Sequence, residues 1–127
     1  MARVKTDEQR RRKTLDDIVR FTLTLPEVVE SVSWGKPALK RGKKLVFLLR
    51  DPEHLSMTCS FEDRAGLLND HPGTFYVTDH YLNYPACLVR LLDADPKVLR
   101  AAVTKSWERA GEARKKRTTI KTAARRR

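Results

Sequence analysis

Cysteine, glycine and aromatic side chains are all scarce in this chain, and each scarcity removes a class of protein. Its 127 residues hold 2 Cys, 5 Gly and 7% aromatic residues. The two cysteines, Cys59 and Cys87, lie far apart and outside any CxxC pair. That argues against a disulfide-framed secreted fold and against a clustered zinc site, and both thiols are expected to be reduced and buried. The histidines, His54, His71 and His80, have no cysteine or second histidine at metal-ligand spacing. Gly42 and Gly73 stand alone, which excludes a glycine-rich phosphate loop. No apolar run approaches the ~20 residues of a membrane span. Met1-Ala2-Arg3-Val4-Lys5 lacks the apolar centre of a secretory signal. A cytoplasmic chain, nucleoid-associated if it binds DNA, is expected, with no membrane partner, no metal and no cofactor.

Acidic residues are missing from one place in particular. Residues 114–127 carry eight basic side chains and no acid, and residues 1–13 carry six basic against two acidic, while the whole chain has a formal charge of +11. Residues 14–113 hold 13 basic and 14 acidic side chains, so the middle is nearly neutral at −1. A polyanion would therefore be held by the ends or by a local patch, not by the average field of the domain. The length fits one domain over 14–113, with a basic extension over 1–13 that is either partly disordered or a continuation of the first helix, and a basic, disordered tail over 114–127.

The middle reads as helix, three or four strands, helix, two strands, helix. Thr14 is the expected N-cap of a first helix, with Asp16 and Asp17 in its first turn. Pro26 ends that helix. Val28 to Trp34 and Pro37 to Lys40 read as strands, with Gly42 in the turn that follows. Lys44 to Arg50 is a continuous apolar run too short for an ordinary helix, which suits a central strand buried on both faces. His54 to Ser60 alternates. Glu62 to Asn69 is a short helix that Ser60 would cap. Phe75 to Thr78 and Cys87 to Leu92 flank a loop that holds His80, Tyr81, Asn83 and Tyr84. The last helix is capped by Asp93 or Asp95 with Pro96 near its first position, buries Leu99, Ala102, Val103, Ser106, Trp107 and Ala110, and has Gly111 as a candidate stop. Short turns between strands imply antiparallel pairing, so the fold class is an α+β two-layer sandwich with the helices on one face.

Ser33-Trp34-Gly35-Lys36-Pro37-Ala38-Leu39-Lys40 resembles the SWGxPxFK signature of the MmcQ/YjbR-like family. Phe75 to Pro85 followed by Cys87-Leu88-Val89-Arg90-Leu91 resembles its second signature, FxVTxHYxxYPxVLVRL. Glu62-Asp63-Arg64 and Trp107 also match in place. The resemblance covers roughly residues 15–110, with Leu39 and Cys87 as small departures. It implies an α+β fold similar to type III secretion chaperones, a DNA-binding role, and no enzymatic activity or cofactor.

Two surface constellations fit that role. Lys36, Lys40, Arg41, Lys43 and Lys44 form a cationic hairpin suited to a phosphate backbone, or else a solvated turn that guards a sheet edge. In the aromatic loop, Tyr81 and Tyr84 would stack on bases while His80, Asn83 and Arg90 supply hydrogen bonds, or else these groups only pack a turn. Arg114, Lys115, Lys116 and Arg117 would add electrostatic grip. The favoured expectation is a non-enzymatic protein that binds DNA or RNA with low sequence specificity. The alternative is a protein- or peptide-binding module, with a protein partner or a homodimer. A ligand or catalytic site around His80 is the third.

Overall fold

The first helix begins well before the expected cap. The structure, a computed structural model, describes the backbone of residues 2–125 and the side chains of residues 7–112. Helix α1 spans Ala2–Leu23. Thr14 lies inside it, so it caps nothing. The stretch before Thr14 is rich in Arg, Lys, Gln and Glu, which cost little in a helix, and the helix runs back through them. Asp17 is likewise not a first-turn residue. It accepts from Arg100 Nε at 3.0 Å and Nη2 at 2.6 Å and ties α1 to the last helix. At its C-terminal end the N–H groups of Thr24 and Leu25 bond back to Phe21 and Thr22, both at 3.0 Å, just ahead of Pro26.

Six strands follow in one antiparallel sheet of order β1-β2-β3-β4-β6-β5. They are β1 (Val28–Ser33), β2 (Lys36–Arg41), β3 (Lys44–Asp51), β4 (His54–Thr58), β5 (Phe75–Tyr76) and β6 (Ala86–Arg90). Helix α2 (Phe61–Asp70) separates β4 from β5, and α3 (Pro96–Arg125) closes the chain. The order α-β4-α-β2-α is the expected one.

Most local signals act as the sequence suggests. Gly42 has φ +62° in the β2–β3 turn. The Ser60 side chain accepts from the Asp63 N–H at 3.0 Å and caps α2. Asp95 Oδ1 accepts from the Lys97 N–H at 2.8 Å at the start of α3. Four strands stop before their expected ends: β1 at Ser33, β4 at Thr58, β5 at Tyr76 and β6 at Arg90. After Tyr76 the chain leaves the sheet for a 3-10 turn at Asp79–Tyr81. β6 ends at Arg90, and the next N–H, of Leu91, bonds to Glu53 at 3.0 Å. Gly111 is not a stop either, since α3 continues through it. A Cβ at Gly111 would collide with the Arg41 guanidinium, so this glycine makes room for a side chain from β2.

The two faces of the sheet carry different residues. Leu39, Phe47, Met57 and Cys87 are paired across neighbouring strands and share one core with Ile18, Leu99 and Val103 of the helices. The alternate row, Ala38, Leu48, Ser56 and Leu88, is just as buried but belongs to no helix-packed cluster. β3 is buried from both sides at Val46, Phe47 and Leu48, as its unbroken apolar run suggests.

Candidate nucleic-acid interface

The aromatic loop is shaped by one residue of α2. Arg64 is only 9% exposed. Its Nη1 donates to the carbonyls of Tyr84 at 2.8 Å and of Tyr81 and Ala86 at 3.2 Å, and its Nη2 donates to Leu82 at 2.9 Å. A planar fork with several donors is what such a set of carbonyls requires. These bonds fold residues 81–86 around the guanidinium and turn the loop's side chains outward. His80, Leu82, Asn83 and Tyr84 are exposed, Tyr84 at 58%. The His80 ring lies 5.3 Å from that of Tyr81 and 6.1 Å from that of Tyr84. Among the described residues no carboxylate or thiol is hydrogen-bonded to it.

Tyr81 connects the loop to the sheet face that the helix core leaves. The Arg50 guanidinium lies over the Tyr81 ring at 5.7 Å, and that of Arg90 over the Tyr76 ring at 4.0 Å. The His54 ring meets Tyr76 edge-on at 5.8 Å. Register explains the grouping. Tyr76 pairs with Leu88 and His54 with Arg90, and both pairs fall on the face that carries Ala38, Leu48 and Ser56. Long amphipathic side chains thus roof the apolar row with their stems and rings and leave charged heads at the surface. Asp51 accepts from the Glu53 N–H at 2.8 Å and contacts His54 Nδ1 at 2.8 Å. Burial alone would raise the Asp51 carboxyl, but these partners hold it below its ordinary value.

The five residues of the cationic hairpin separate into two groups. Lys36, Lys43 and Lys44 are exposed. Lys40 Nζ approaches the Val32 carbonyl at 3.5 Å, across the sheet edge. Arg41 turns inward: it donates to the Trp107 carbonyl at 3.0 Å and to Glu27 Oε1 at 3.1 Å, and it covers the Trp107 ring at 4.0 Å. Trp107 in turn donates from Nε1 to the Pro26 carbonyl at 2.8 Å. Arg41 is therefore a staple between β2, α3 and the α1–β1 turn, where Glu27 itself has φ +67°. Arg114, Lys115, Lys116 and Arg117, and the tail of which they are part, fall outside the described side chains.

Trp34 stands in the Ser33–Lys40 stretch with an unusual backbone. It opens the two-residue β1–β2 turn with φ +56°, followed by Gly35 at +71°. A bulky residue in the left-handed region costs on the order of 1 kcal/mol. Its side chain is 90% exposed, so no burial offsets that cost within the monomer. Cys59 and Cys87 are buried neighbours, and the hydrogen bond to Cys59, together with burial, pushes the Cys87 thiol well above its ordinary value. Such a thiol is inert at neutral pH.

Sequence reasoning missed Arg50, His54 and Tyr76 as site residues, and it met Arg64 only within the Glu62-Asp63-Arg64 match, without a role. Arg50 looks like the charged end of an apolar run, and His54 and Tyr76 like ordinary strand residues. Their common face follows only from the β3–β4–β6–β5 register. A lone arginine in a short polar helix gives no periodic signal for Arg64.

These features define a class: a small α+β domain with three helices on one sheet face and a cationic, aromatic surface on the other. The chain belongs to the YjbR family, whose model matches residues 23–109. It is similar to uncharacterized proteins of Mycobacterium tuberculosis and Mycobacterium bovis, at 27% identity over 110 residues, covering 74% of this chain and 85% of each relative. Among the described residues, no helix is long and apolar enough to cross a membrane.

Proposed function

We propose that this protein binds nucleic acid with low sequence specificity, in the cytoplasm, and catalyses no reaction. The observation that carries this reading is the pair of arginine–tyrosine stacks, Arg50 on Tyr81 and Arg90 on Tyr76, on the helix-free sheet face. Guanidinium planes and aromatic rings are the surfaces on which unstacked bases rest, and the same cations attract phosphate. Lys36 follows the same alternation as Ala38 on that face, and Tyr84, His80 and Asn83 extend the surface along the loop. Lys43 and Lys44 supply further phosphate contacts at the β2–β3 turn. Arg41 takes no part, because its charge is spent on Glu27 and α3.

Stacking favours single strands over duplexes, since the rings of a duplex are already paired with one another. Fluorescence anisotropy with labelled single-stranded and duplex oligonucleotides of DNA and RNA, across a salt series, tests the proposal. The expected result is salt-dependent binding that prefers single strands and weakens by about 1–3 kcal/mol on Tyr84→Ala. Binding that ignores Tyr84 and favours duplex would overturn the stacking role.

A further inference from the structure

We propose that a single strand lying on the helix-free sheet face continues past Leu92 into a cationic cleft between α1 and the start of α3, where α1 supplies a second set of phosphate contacts. This inference rests on the nucleic-acid reading of the sheet face and adds a binding site to it. The cleft has a volume of about 740 Å³. Its walls carry Arg10, Arg12, Lys13 and Arg20 of α1 and Arg100 of α3, against two carboxylates, Asp16 and Asp17. Asp17 is already engaged by Arg100, through bonds of 3.0 and 2.6 Å. The four α1 cations share the cleft with one further carboxylate, Asp16, and among the described residues none of the four forms a side-chain hydrogen bond or ion pair.

Helical spacing puts these cations where one strand can reach them. Lys13 and Arg20 are seven residues apart in α1, about two turns, so they lie on one side of the helix about 10 Å from each other. Asp17 lies between them. Arg100 chiefly holds the Asp17 carboxyl below its ordinary value, and Arg20 and Lys13 add to the effect, which places both cations beside the cleft. A second cavity, farther along α3, shows the difference. There Lys44, Lys105 and Arg109 meet Asp63, Glu108 and Glu112, so cations and carboxylates balance and no excess charge is left for a polyanion. The family match begins at residue 23, and the α1 cations lie outside it.

Leu92 joins the two surfaces. It lines the cleft, and it also lines a smaller hollow of about 130 Å³ whose other walls include Arg11, His54 and Arg90. Arg90 and His54 belong to the sheet face, where both pack on the Tyr76 ring. Glu53 and Asp93 border the hollow as well and balance its two arginines, so it serves as a crossing and not as a phosphate site. A backbone that leaves Arg90 passes Leu92 and reaches Lys13 and Arg20, where cations exceed carboxylates. Binding then depends on strand length. A strand too short to leave the sheet face meets the cleft only through a field that salt screens.

Fluorescence anisotropy of the full chain across a salt series tests the path, with labelled DNA single strands of about 4 and about 16 nucleotides, the usual range of footprints for a single-strand-binding domain. Lys13→Gln/Arg20→Gln, with folding checked by circular dichroism, leaves the affinity and slope of the short strand unchanged. With the long strand its salt slope falls by about 1.4, two contacts at ~0.7 each. Lys105→Gln/Arg109→Gln removes the same charge from the balanced cavity and changes neither slope. A long strand bound by Lys13→Gln/Arg20→Gln as by wild type overturns the proposal. An equal fall in slope at both lengths, or in both variants, overturns it too, because the cations then act only as net charge. Arg50→Glu/Arg90→Glu separates this failure from that of the sheet face: it weakens both lengths if that face holds the strand. If it weakens neither, the sheet-face reading fails and the path from it fails as well, while any contacts of the cleft itself still show in the α1 variant.

Discussion

The two faces of the sheet are made by alternate residues of the same strands, yet they are closed in different ways. Leu39, Phe47, Met57 and Cys87 are closed by α1 and α3, whose apolar side chains fill the space between layers. Ala38, Leu48, Ser56 and Leu88 are equally buried, but Arg50, Arg90, His54, Tyr76 and Tyr81 gather on their side. The first face is finished by apolar packing against the helices, apart from the groove between α1 and the β1 edge. The second is finished by side chains that bury an apolar body and keep a polar end in water. A core on both sides of β3 can in this way be closed on one side by helices and on the other by side chains that keep polar ends in water.

The contrast is sharpest when one residue of each face is truncated. Phe47→Ala opens a cavity among the helices and should cost about 3–5 kcal/mol, read as a lower denaturation midpoint. Arg90→Ala, on the other face, should change stability by about 1 kcal/mol or less, because Arg90 is only partly buried, its stack on Tyr76 is at the surface, and its side-chain hydrogen bond to the Gly73 carbonyl is long at 3.4 Å. Equal losses in the same denaturation series would erase the distinction between the faces.

Arg64 lies between these extremes, since it is buried but holds the exposed aromatic loop. Hydrogen bonds to a charged group contribute about 1.5–3 kcal/mol each, and truncation orphans several carbonyls at once. Arg64→Ala should therefore cost about 3 kcal/mol or more and free residues 81–86, which hydrogen exchange of their amides would report. Arg64→Lys should rescue little, because one ammonium cannot serve four carbonyls in a plane. Full rescue by lysine would show that charge alone, not the fork, holds the loop.

The smallest expected effect lies on the helix side. Arg100 hydrogen-bonds the ionised Asp17 and holds its carboxyl below the ordinary value. A lowered folded-state value means that this bond supports the fold above about pH 4 and is lost as pH falls through the lowered value. Both side chains are partly exposed, so water screens the pair and the contribution is small. In a pH series of thermal midpoints, wild type should exceed Asp17→Asn slightly at neutral pH and converge with it in acid. A constant gap across the series would contradict the link between the two helices.

Much of this architecture is legible in the sequence, because strand and turn signals are local. The unbroken run from Leu45 to Leu49 announces a strand buried on both sides, and Ser60, Gly42 and Asp95 mark their turn and caps. Thr14 misleads, since helix-forming residues before it outweigh a good capping side chain. Gly111 misleads because its neighbour, Arg41, is 70 positions away in the chain and only tertiary structure brings the two together. The candidate site is legible in part. His80, Tyr81, Asn83, Tyr84 and Arg90 stand out as a dense polar cluster, but Arg50, His54 and Tyr76 join them only through cross-strand register. Arg41 belongs to a basic run and yet points inward, which no count of charges can reveal.

The most direct test of the central claim is a salt series of nucleic-acid binding by the full chain and by its Arg50→Glu/Arg90→Glu variant, with a labelled single strand. If the helix-free face holds the ligand, the variant should bind much more weakly, and its salt slope should fall by about 1.4, two contacts at ~0.7 each for a single strand. If affinity and slope are unchanged in a folded variant, the nucleic acid is held by the basic ends of the chain, and the arginine–tyrosine stacks only roof the sheet.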